Sequence, residues 1–389
     1  MPRTISARIW AGLTSLKLSI VCLALLMILV VACTLQQTSM GLLPSVNRFI
    51  RSGLVWWELP GSNLSIPIFP GGGTVGFVLL VNLIAAQLKR LAFTWKKIGL
   101  WIVHAGLILL FFGEFVTSIF QVEMQLAIEQ GQTLDYIESP RDVELAITDT
   151  TNPQHDDVYS VPESILARGG LFAVPGTPLT FQVHSFFLNA ELAQRGPGAQ
   201  PSPATRGVGP SVVVTQRRPV TSDDEINLRA AFVEPVAAGR SYGIWLVSNG
   251  LGAPQSFLHE GHNYVMQVRR RREYLPYSVT LKKFSHDIYP GTDIPKNFSS
   301  LVRLQNPTSG EARDVLIFMN QPLRFAGKTF YQASFGKGDT LSILQVVENP
   351  GWLIPYISCV LVALGLVLHF GLSLMRSSKR RDAAALGAA

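Results

Sequence analysis

Residues 98–120 read IGLWIVHAGLILLFFGEFVTSIF, and this apolar run decides the fold class of the chain. An α-helix rises about 1.5 Å per residue, so about 20 mostly apolar residues cross the ~30 Å hydrocarbon core of a bilayer. Three further runs of this kind lie at about residues 16–35, 72–88 and 352–375. The sequence therefore predicts four transmembrane helices. The second is the weakest, because residues 70–73 interrupt its start, and an interfacial helix is the alternative there.

Lysine and arginine cluster at three places beside these runs, which predicts how the chain lies in the membrane. The clusters are Arg3, Arg8 and Lys17, then Lys89, Arg90, Lys96 and Lys97, and finally Arg376, Lys379, Arg380 and Arg381. Under the positive-inside rule all three lie in the cytoplasm. We therefore expect an N-terminal membrane domain at residues 1–120, an extracytoplasmic domain at 121–350, and a fourth helix with a basic tail at 351–389. Both termini are cytoplasmic in this arrangement.

The basic balance of the chain comes from these flanking residues. The formal charge is +7, but residues 121–351 hold 20 lysine and arginine against 23 aspartate and glutamate side chains. The basic excess is therefore no sign of nucleic-acid binding. The cysteines Cys22, Cys33 and Cys359 fall within apolar runs and no CxxC motif is present, so we expect no thiol exchange by this chain. A lipoprotein-type cleavage before Cys33 is an alternative, although it would leave an odd number of crossings.

The region between the third and fourth runs has the pattern of β-structure. Short segments rich in β-branched and aromatic residues are separated by turn formers, for example at residues 211–215, 242–247, 264–268 and 277–281. This pattern favours a large all-β domain, either an antiparallel sandwich or a barrel-like sheet. Residues 195–210 are rich in glycine, proline, alanine and serine and predict a flexible loop. A weak helical pattern covers residues 225–231.

Two histidines in the predicted spans are the main candidates for function. His104 and His369 each lie about six residues, or ~9 Å, from the predicted cytoplasmic end of their helix. Polar side chains at that depth are costly and often functional. Two such histidines on antiparallel helices could bind opposite faces of a haem if the helices are neighbours. The alternatives are an interhelical hydrogen bond, or a ring that reaches toward the headgroups.

Other polar groups carry weaker signals. Glu114 lies near the external end of its run and either contacts a partner helix, relays a proton or is protonated near the interface. His259 and His262 have ligand-like spacing, but a turn explains that spacing as well. Residues 269–272 are four arginines, for which a solvated strand edge is the default and a contact with acidic headgroups, propionates or a partner is the alternative. No nucleophile and base pairing can be assembled, so we expect no catalysis by the chain alone.

Several segments together carry a resemblance to a known family. They are residues 272–281 (REYLPYSVTL), 289–300 (YPGTDIPKNFSS), 319–323 (MNQPL), 327–332 (GKTFYQ) and 349–351 (NPG), with residues 81–90 (VNLIAAQLKR) and the His104 helix upstream. In this order they resemble the ResB-type family of cytochrome c biogenesis proteins, also called CcsB. The resemblance covers most of the chain and is more specific than any single motif.

The resemblance implies a bacterial inner-membrane subunit of the system II cytochrome c synthase. Such a subunit works with a CcsA-type (ResC) membrane partner, exports haem b and positions it for attachment to the CxxCH cysteines of an apocytochrome c. A thiol-reducing partner is also possible. His104 matches the membrane histidine that the family offers to the haem iron. His369 has no secure counterpart, so either His369 or a histidine of the partner supplies the second axial bond.

Two alternative functions that do not involve haem delivery remain open from the sequence alone. A membrane-anchored extracytoplasmic scaffold or sensor without haem would have the same helices, the same β-domain and no catalytic constellation. A quinone-linked or haem-linked redox subunit would be expected to carry more paired membrane histidines than this chain does. Binding of haem at His104 would distinguish a haem-delivery subunit from a scaffold or sensor without haem.

Overall fold

The computed structural model describes residues 5–59, 64–90, 94–198, 200–220, 226–291 and 295–386. Within them the chain forms two compact units, one of residues up to 121 and from 349 onward, the other of residues 122–220 and 226–348. The described helices are α1 (Ile5–Leu13), α2 (Leu16–Met40), α3 (Leu42–Ser45), α4 (Gly72–Arg90), α5 (Ile98–Phe120), α6 (Glu163–Arg168) and α7 (Ile354–Leu386). Only α6 belongs to the second unit.

Among the described residues, four helices are long and apolar enough to cross a membrane, as the sequence predicts. They are Leu16–Met40, Gly72–Lys89, Ile98–Phe120 and Ile354–Ser378. The second predicted span is an unbroken helix from Gly72 onward, and glycine is needed at its start because a Cβ on Gly71 or Gly72 would clash with backbone atoms of Ser52 or Ile50. In the first unit α4 contacts both α2 and α5, and α5 contacts both α4 and α7. The spanning helices therefore follow one another in the order α2, α4, α5, α7.

A buried asparagine fixes the start of α2 against α4. The Nδ2 of Asn82 donates to the backbone oxygens of Leu13 at 2.6 Å and Ser15 at 3.1 Å, and the hydroxyl of Ser19 donates to its Oδ1. Lys89 donates to the Thr14 hydroxyl at 2.9 Å. Because an apolar surrounding penalises any unsatisfied polar group, these bonds define the corner between α1 and α2.

An apolar hairpin follows α2 in the first unit. Its strands are β1 (Leu54–Glu58) and β2 (Ser65–Pro70), which pair antiparallel. Val55 is buried and packs with residues of α2 and α4, while Trp56 and Trp57 are about half exposed. Half-exposed tryptophans of this kind are typical of residues at a membrane interface.

The second unit is antiparallel β-structure. Its strands are β3 (Val122–Glu129), β4 (Thr133–Asp149), β5 (Asp157–Pro162), β6 (Gly170–Ala173), β7 (Thr180–Phe187), β8 (Ala190–Gln194), β9 (Val212–Gln216), β10 (Ala230–Ala237), β11 (Arg240–Ser241), β12 (Trp245–Ser248), β13 (Gln255–His259), β14 (His262–Ile288), β15 (Pro295–Asn306), β16 (Glu311–Phe318), β17 (Leu323–Phe325), β18 (Lys328–Gly336) and β19 (Leu341–Glu348). The main sheet runs β16-β15-β14-β4-β3-β19-β18-β17. The end strands β16 and β17 contact each other, and β16 also contacts β18, which makes the sheet nearly closed and barrel-like.

Two long paired strands connect two hydrophobic cores. The 27-residue β14 and the 17-residue β4 run through both of them. One core includes Phe181 and Val233, and the other includes Phe330 and Leu344. The predicted strands at 264–268 and 277–281 are therefore parts of a single strand. Residues 225–231 were expected to show helical character, but within the described residues the strand β10 begins at Ala230.

The glycine- and proline-rich loop is anchored rather than free over its described second half. The backbone N–H groups of Thr205 and Arg206 donate to the oxygen of Ile244 at 2.8 and 3.1 Å. The N–H of Val208 donates to Oε1 of the buried Gln255 at 3.0 Å. The expectation of a flexible loop was wrong here, because its composition does not show the acceptors that other strands supply.

Candidate functional site

Glycines on one side of α5 bring α5 and α7 into close contact. Gly99, Gly106 and Gly113 recur every seven residues and are all buried. A Cβ added to Gly99 would lie 2.5 Å from the backbone nitrogen of His369, and one added to Gly106 would lie 3.0 Å from the backbone oxygen of Ser358. Small residues that let helix backbones approach are typical of packing between membrane helices. This side of α5 is therefore occupied by α7.

The same contacts fix where the two candidate histidines lie. His369 meets α5 at Gly99, which is five residues before His104 and so about 8 Å away along the axis. At 100° per residue, His104 is also about 140° from Gly99 around α5. The predicted pair of facing imidazoles at one depth is therefore not supported by the helix packing. The His369 ring instead lies edge-on to Phe370, with ring centroids 5.5 Å apart.

His104 is held in a defined ring orientation by its own helix. Its Nδ1 is 2.8 Å from the backbone oxygen of Leu100, one turn earlier. Because a carbonyl only accepts, Nδ1 carries a proton in this arrangement, and Nε2 is the ring nitrogen that can offer a lone pair. Among the described residues no hydrogen bond to Nε2 is present. A histidine whose other nitrogen is bonded to a carbonyl has the arrangement common in metal-binding imidazoles.

The His104 side of α5 faces α4. Phe111 and Phe115 lie within about 20° of His104 on the helical wheel. The Phe115 ring contacts the Phe77 ring of α4 with centroids 6.5 Å apart, and Phe111 packs among residues of α2 and α4 that include Leu79. The His104 imidazole is half-buried. It therefore lies on the side of α5 that faces α4, opposite the side that contacts α7.

The flanks of α5 between these two neighbours are exposed. Phe112 lies on one flank, and Leu110 and Glu114 lie on the other. Glu114 is exposed in a helix of spanning length, where a carboxyl group is costly without a partner. Its predicted contact with a partner helix stays a prediction.

The histidines of the β-unit do not form a metal site in the part of the chain that the structure describes. No group of three or more potential ligands occurs there. The Nδ1 of His259 is 2.6 Å from the Tyr242 hydroxyl, whereas His262 pairs with Asp149 at 2.6 Å. Spacing alone could not show that these two neighbouring rings have different partners.

A histidine and glutamate pair on β7 and β10 is one of these structural contacts. The Nε2 of His184 is 2.7 Å from a carboxylate oxygen of Glu234. The hydrogen bond from Ser241, followed by that from His184, holds the pKa of Glu234 below its ordinary value. This pair therefore favours the ionised carboxylate in the folded chain.

In the arginine run, Arg269 and Arg272 form ion pairs with carboxylates of the neighbouring strand β4. Arg269 donates to Glu144 at 2.9 Å, and Glu144 is only 1% exposed. Arg272 donates to Glu138 at 2.9 Å, and its guanidinium carbon lies 3.9 Å from the centre of the Tyr136 ring. The default expectation of a solvated edge was therefore wrong for the side chains of Arg269 and Arg272, whereas Arg271 is exposed. Carboxylates of β4, more than a hundred residues earlier in the chain, bind these two arginines where β4 and β14 pass between the two cores.

A buried polar network explains part of the family-like sequence. Ser300 donates to Oε1 of Gln332 at 2.6 Å, and its hydroxyl is 2.7 Å from that of Ser342. All three side chains are buried. The network joins β15, β18 and β19 and fixes their alignment, because a slipped strand would leave these groups without partners.

One buried hydroxyl in the same core lacks such partners. Tyr277 is 2% exposed, and within the described residues its hydroxyl has no hydrogen-bond partner. Burial raises the pKa of Tyr277 to about 12.

Comparison with known proteins gives one family and one relative. Residues 237–343, from the end of β10 into β19, match the model of the ResB-like family. Over 93 residues, or 24% of the chain, the sequence is 36% identical to Protein NrfI of Wolinella succinogenes. That alignment covers 10% of the relative, so the chain matches about a tenth of that protein's length. The helices α4 and α5 lie outside the residues that match the family model. Together the two matches confirm that the chain resembles the ResB/CcsB-type proteins, with residues 237–343 as the part that matches the ResB-like family model.

Proposed function

We propose that this protein is the membrane subunit of a system II cytochrome c synthase. With a CcsA/ResC-type partner it exports haem and positions it for attachment to an apocytochrome c. The single observation that carries the proposal is the ResB-like match over residues 237–343. The geometry of His104 adds a place on this chain where haem, as the transported substrate, can bind.

His104 has the properties that an axial ligand of haem iron needs. The bond from Nδ1 to the Leu100 oxygen leaves Nε2 as the nitrogen that can coordinate iron, in a helix of spanning length. The half-buried ring lies on the α4 side of α5, and Ala105 beside it is small and exposed. A flat ligand can therefore approach the ring from the flank of the helix that bears Ala105. Axial imidazoles also set the redox potential of haem iron.

The second axial ligand in this proposal comes from the partner. His369 belongs to α7, which occupies the side of α5 opposite to His104. The exposed flanks of α5 leave room for a helix of another protein to bring its own histidine. The proposal thus uses one axial ligand from each subunit.

Attachment of haem asks for positioning more than for acid–base groups of this chain. Each cysteine thiol adds across a haem vinyl group, so that a carbon–sulfur bond forms and the thiol proton ends on the other vinyl carbon. The reaction needs reduced iron and reduced cysteines, which the partners supply. Fixing haem and peptide in one geometry is the contribution expected of a subunit without a catalytic constellation.

The proposed topology follows the charged residues. Both termini and the residues between α4 and α5 lie in the cytoplasm, and the β-unit lies outside the membrane, where it contacts the apocytochrome or the partner. His104 then lies nearer the cytoplasmic face, where haem is made available. The proposed location is the bacterial inner membrane.

The absorption spectrum of the purified complex tests this function. The chain is produced with a CcsA/ResC-type partner, as native protein, as His104→Ala and as His369→Ala, and the haem bands are measured for equal amounts of protein. We expect haem in the native and His369→Ala complexes and its loss in His104→Ala, with loss of cytochrome c maturation in the same strain.

Two outcomes would change the account. If His369→Ala also loses haem while remaining folded, both axial ligands come from this chain. If no preparation binds haem, the delivery role fails and a scaffold or sensor without haem takes its place.

A further inference from the structure

Matching stripes of residues on α4 and α5 define a second position beside His104. A Cβ added to Gly76 would lie 3.8 Å from Cζ of Phe115, so these two residues face each other across the antiparallel pair. Eleven residues further along α4 is Gln87, and eleven residues back along α5 is His104. Eleven residues complete three turns to within about 20° and span about 16 Å. Gln87 and His104 are therefore at one level on facing sides of the two helices.

The intermediate residues support this alignment. Leu80 and Leu83 fall on the same stripe of α4 as Gln87, two turns and one turn before it, respectively. Leu83 packs in the same cluster as Phe111 of α5, which is the residue two turns after His104. These stripes are apolar apart from Gln87 at the end of the one on α4 and His104 at the end of the one on α5.

The Gln87 side chain is buried with an unpartnered end. It is 6% exposed, and among the described residues its Oε1 has no hydrogen-bond partner. A buried polar atom without a partner destabilises a fold, so such a group needs a structural or functional reason. Rotation of the carboxamide by 180° exchanges its oxygen and nitrogen without moving other atoms, so this end can also present an N–H donor.

We propose that Gln87 is the second polar group of the His104 site and donates a hydrogen bond to a propionate of the bound haem. This inference rests on the proposed function. Haem has two hydrogen-bonding groups on its periphery, both of them propionate carboxylates, and the rest of its edge is apolar. The ends of α4 and α5 beyond this level carry Lys89 and Lys97, whose positive charge favours a carboxylate nearby. His104 therefore binds the iron, and Gln87 sets which edge of the haem points toward the ends of these helices.

Titration with two tetrapyrroles tests the proposal. The full-length protein with its partner, after removal of haem, is titrated with haemin and with haemin dimethyl ester, whose carboxylates are blocked. The variants are Gln87→Met, which keeps the length of the side chain, and Leu83→Met, an apolar control on the same stripe one turn away. A hydrogen bond to a charged group predicts that Gln87→Met weakens haemin binding by about 10- to 150-fold. The ester is expected to lose only a few-fold, and Leu83→Met is expected to bind both compounds as the native protein does.

The outcomes separate this inference from the proposed function. Equal losses with haemin and its ester, or no loss with haemin, would overturn the role of Gln87. Thermal unfolding of the haem-free protein adds a second readout, because removal of an unpartnered amide is expected to leave stability unchanged or raised. If His104→Ala loses haemin while Gln87→Met does not, only the Gln87 inference fails. If His104→Ala binds haemin normally, the assignment of His104 as an axial ligand fails, and if the native complex does not bind haemin, the proposed function itself fails.

Discussion

The contact between α5 and α7 predicts that two glycines of α7 differ in how substitution by alanine changes the stability of the protein. Gly365 of α7 faces α5, and a Cβ placed there would lie 2.7 Å from the backbone nitrogen of Val103 and 2.8 Å from the backbone oxygen of Gly99. Both atoms belong to the backbone of α5 and cannot rotate away. Gly371, six residues later, has nothing within 4 Å of its added Cβ. Gly365→Ala therefore has to push the helices apart, whereas Gly371→Ala adds a methyl group in open space.

The magnitude follows from the cost of overpacking. One methyl group forced into a packed interface costs about 1–3 kcal/mol. The change in helix propensity is the same at both positions, so the difference between the two variants isolates this contact. We expect Gly365→Ala to lower the ratio of folded to unfolded protein by about 5- to 150-fold relative to Gly371→Ala.

Unfolding in mixed micelles, followed by circular dichroism, measures this difference. Equal stability of the two variants would refute the close glycine contact. It would also remove the argument that His369 meets α5 at the level of Gly99 and that α7 occupies the side opposite to His104.

Three further predictions concern the β-unit. Arg269→Met leaves a buried carboxylate without its partner and is expected to lower the free energy of unfolding by about 3–5 kcal/mol, measured with denaturant. Arg271→Met removes an exposed ion pair and is expected to change it by less than about 1 kcal/mol. Similar losses in the two variants would contradict the buried pair. Tyr242→Phe is expected to lower the free energy of unfolding by about 1 kcal/mol, because a hydrogen bond is lost. Tyr277→Phe is expected to leave it unchanged or to raise it, because the Tyr277 hydroxyl has no partner among the described residues. The pKa of Tyr277 is raised to about 12 in the folded chain from 10, so the unfolded chain ionises at a lower pH than the folded chain. Tyr277 therefore has no pH-dependent effect on stability below pH 10 and lowers stability as the pH rises toward 12, and Tyr277→Phe should reduce this alkaline loss. The pKa of Glu234 is lowered in the folded chain, so the stability that its carboxylate contributes is present above the unfolded pKa of about 4.5 and is lost as the pH falls through the folded pKa. The difference in stability between the native chain and Glu234→Gln should therefore vanish in acid. A difference that stays constant with pH would refute the ion pair.

The membrane part of the fold could be predicted because it depends on local properties of the chain. The length and apolar character of residues 98–120 are visible in the sequence, and the helix α5 has those bounds. The alternation of β-branched residues likewise indicated the strands. The length of β14 could not be predicted, since four consecutive arginines argue against a buried strand. Glu138 and Glu144, which make that strand possible, lie in β4 and reach it only through the tertiary fold.

The candidate site shows the same division. The sequence predicted His104 as a candidate ligand from its depth in an apolar run. The structure adds the bond from its Nδ1 to the Leu100 oxygen, which leaves Nε2 for a ligand. Depth alone suggested that His369 is its neighbour. The glycine contacts, which depend on both helices together, place His369 at Gly99 instead. Gln87 was visible only as a polar residue in the second run, and the facing stripes of α4 and α5 were needed to connect it with His104.

Rescue of a cavity variant by free imidazole tests the central claim most directly. His104→Gly, purified with its partner, is titrated with haemin in the presence and absence of imidazole, and the Soret and visible bands are compared with those of the native complex. The account predicts that His104→Gly binds haemin poorly alone and regains a native-like six-coordinate spectrum when imidazole is added, because the small ligand fills the position of the missing ring. A His104→Gly complex that binds haemin with the native spectrum in the absence of imidazole would contradict the assignment of His104 as an axial ligand.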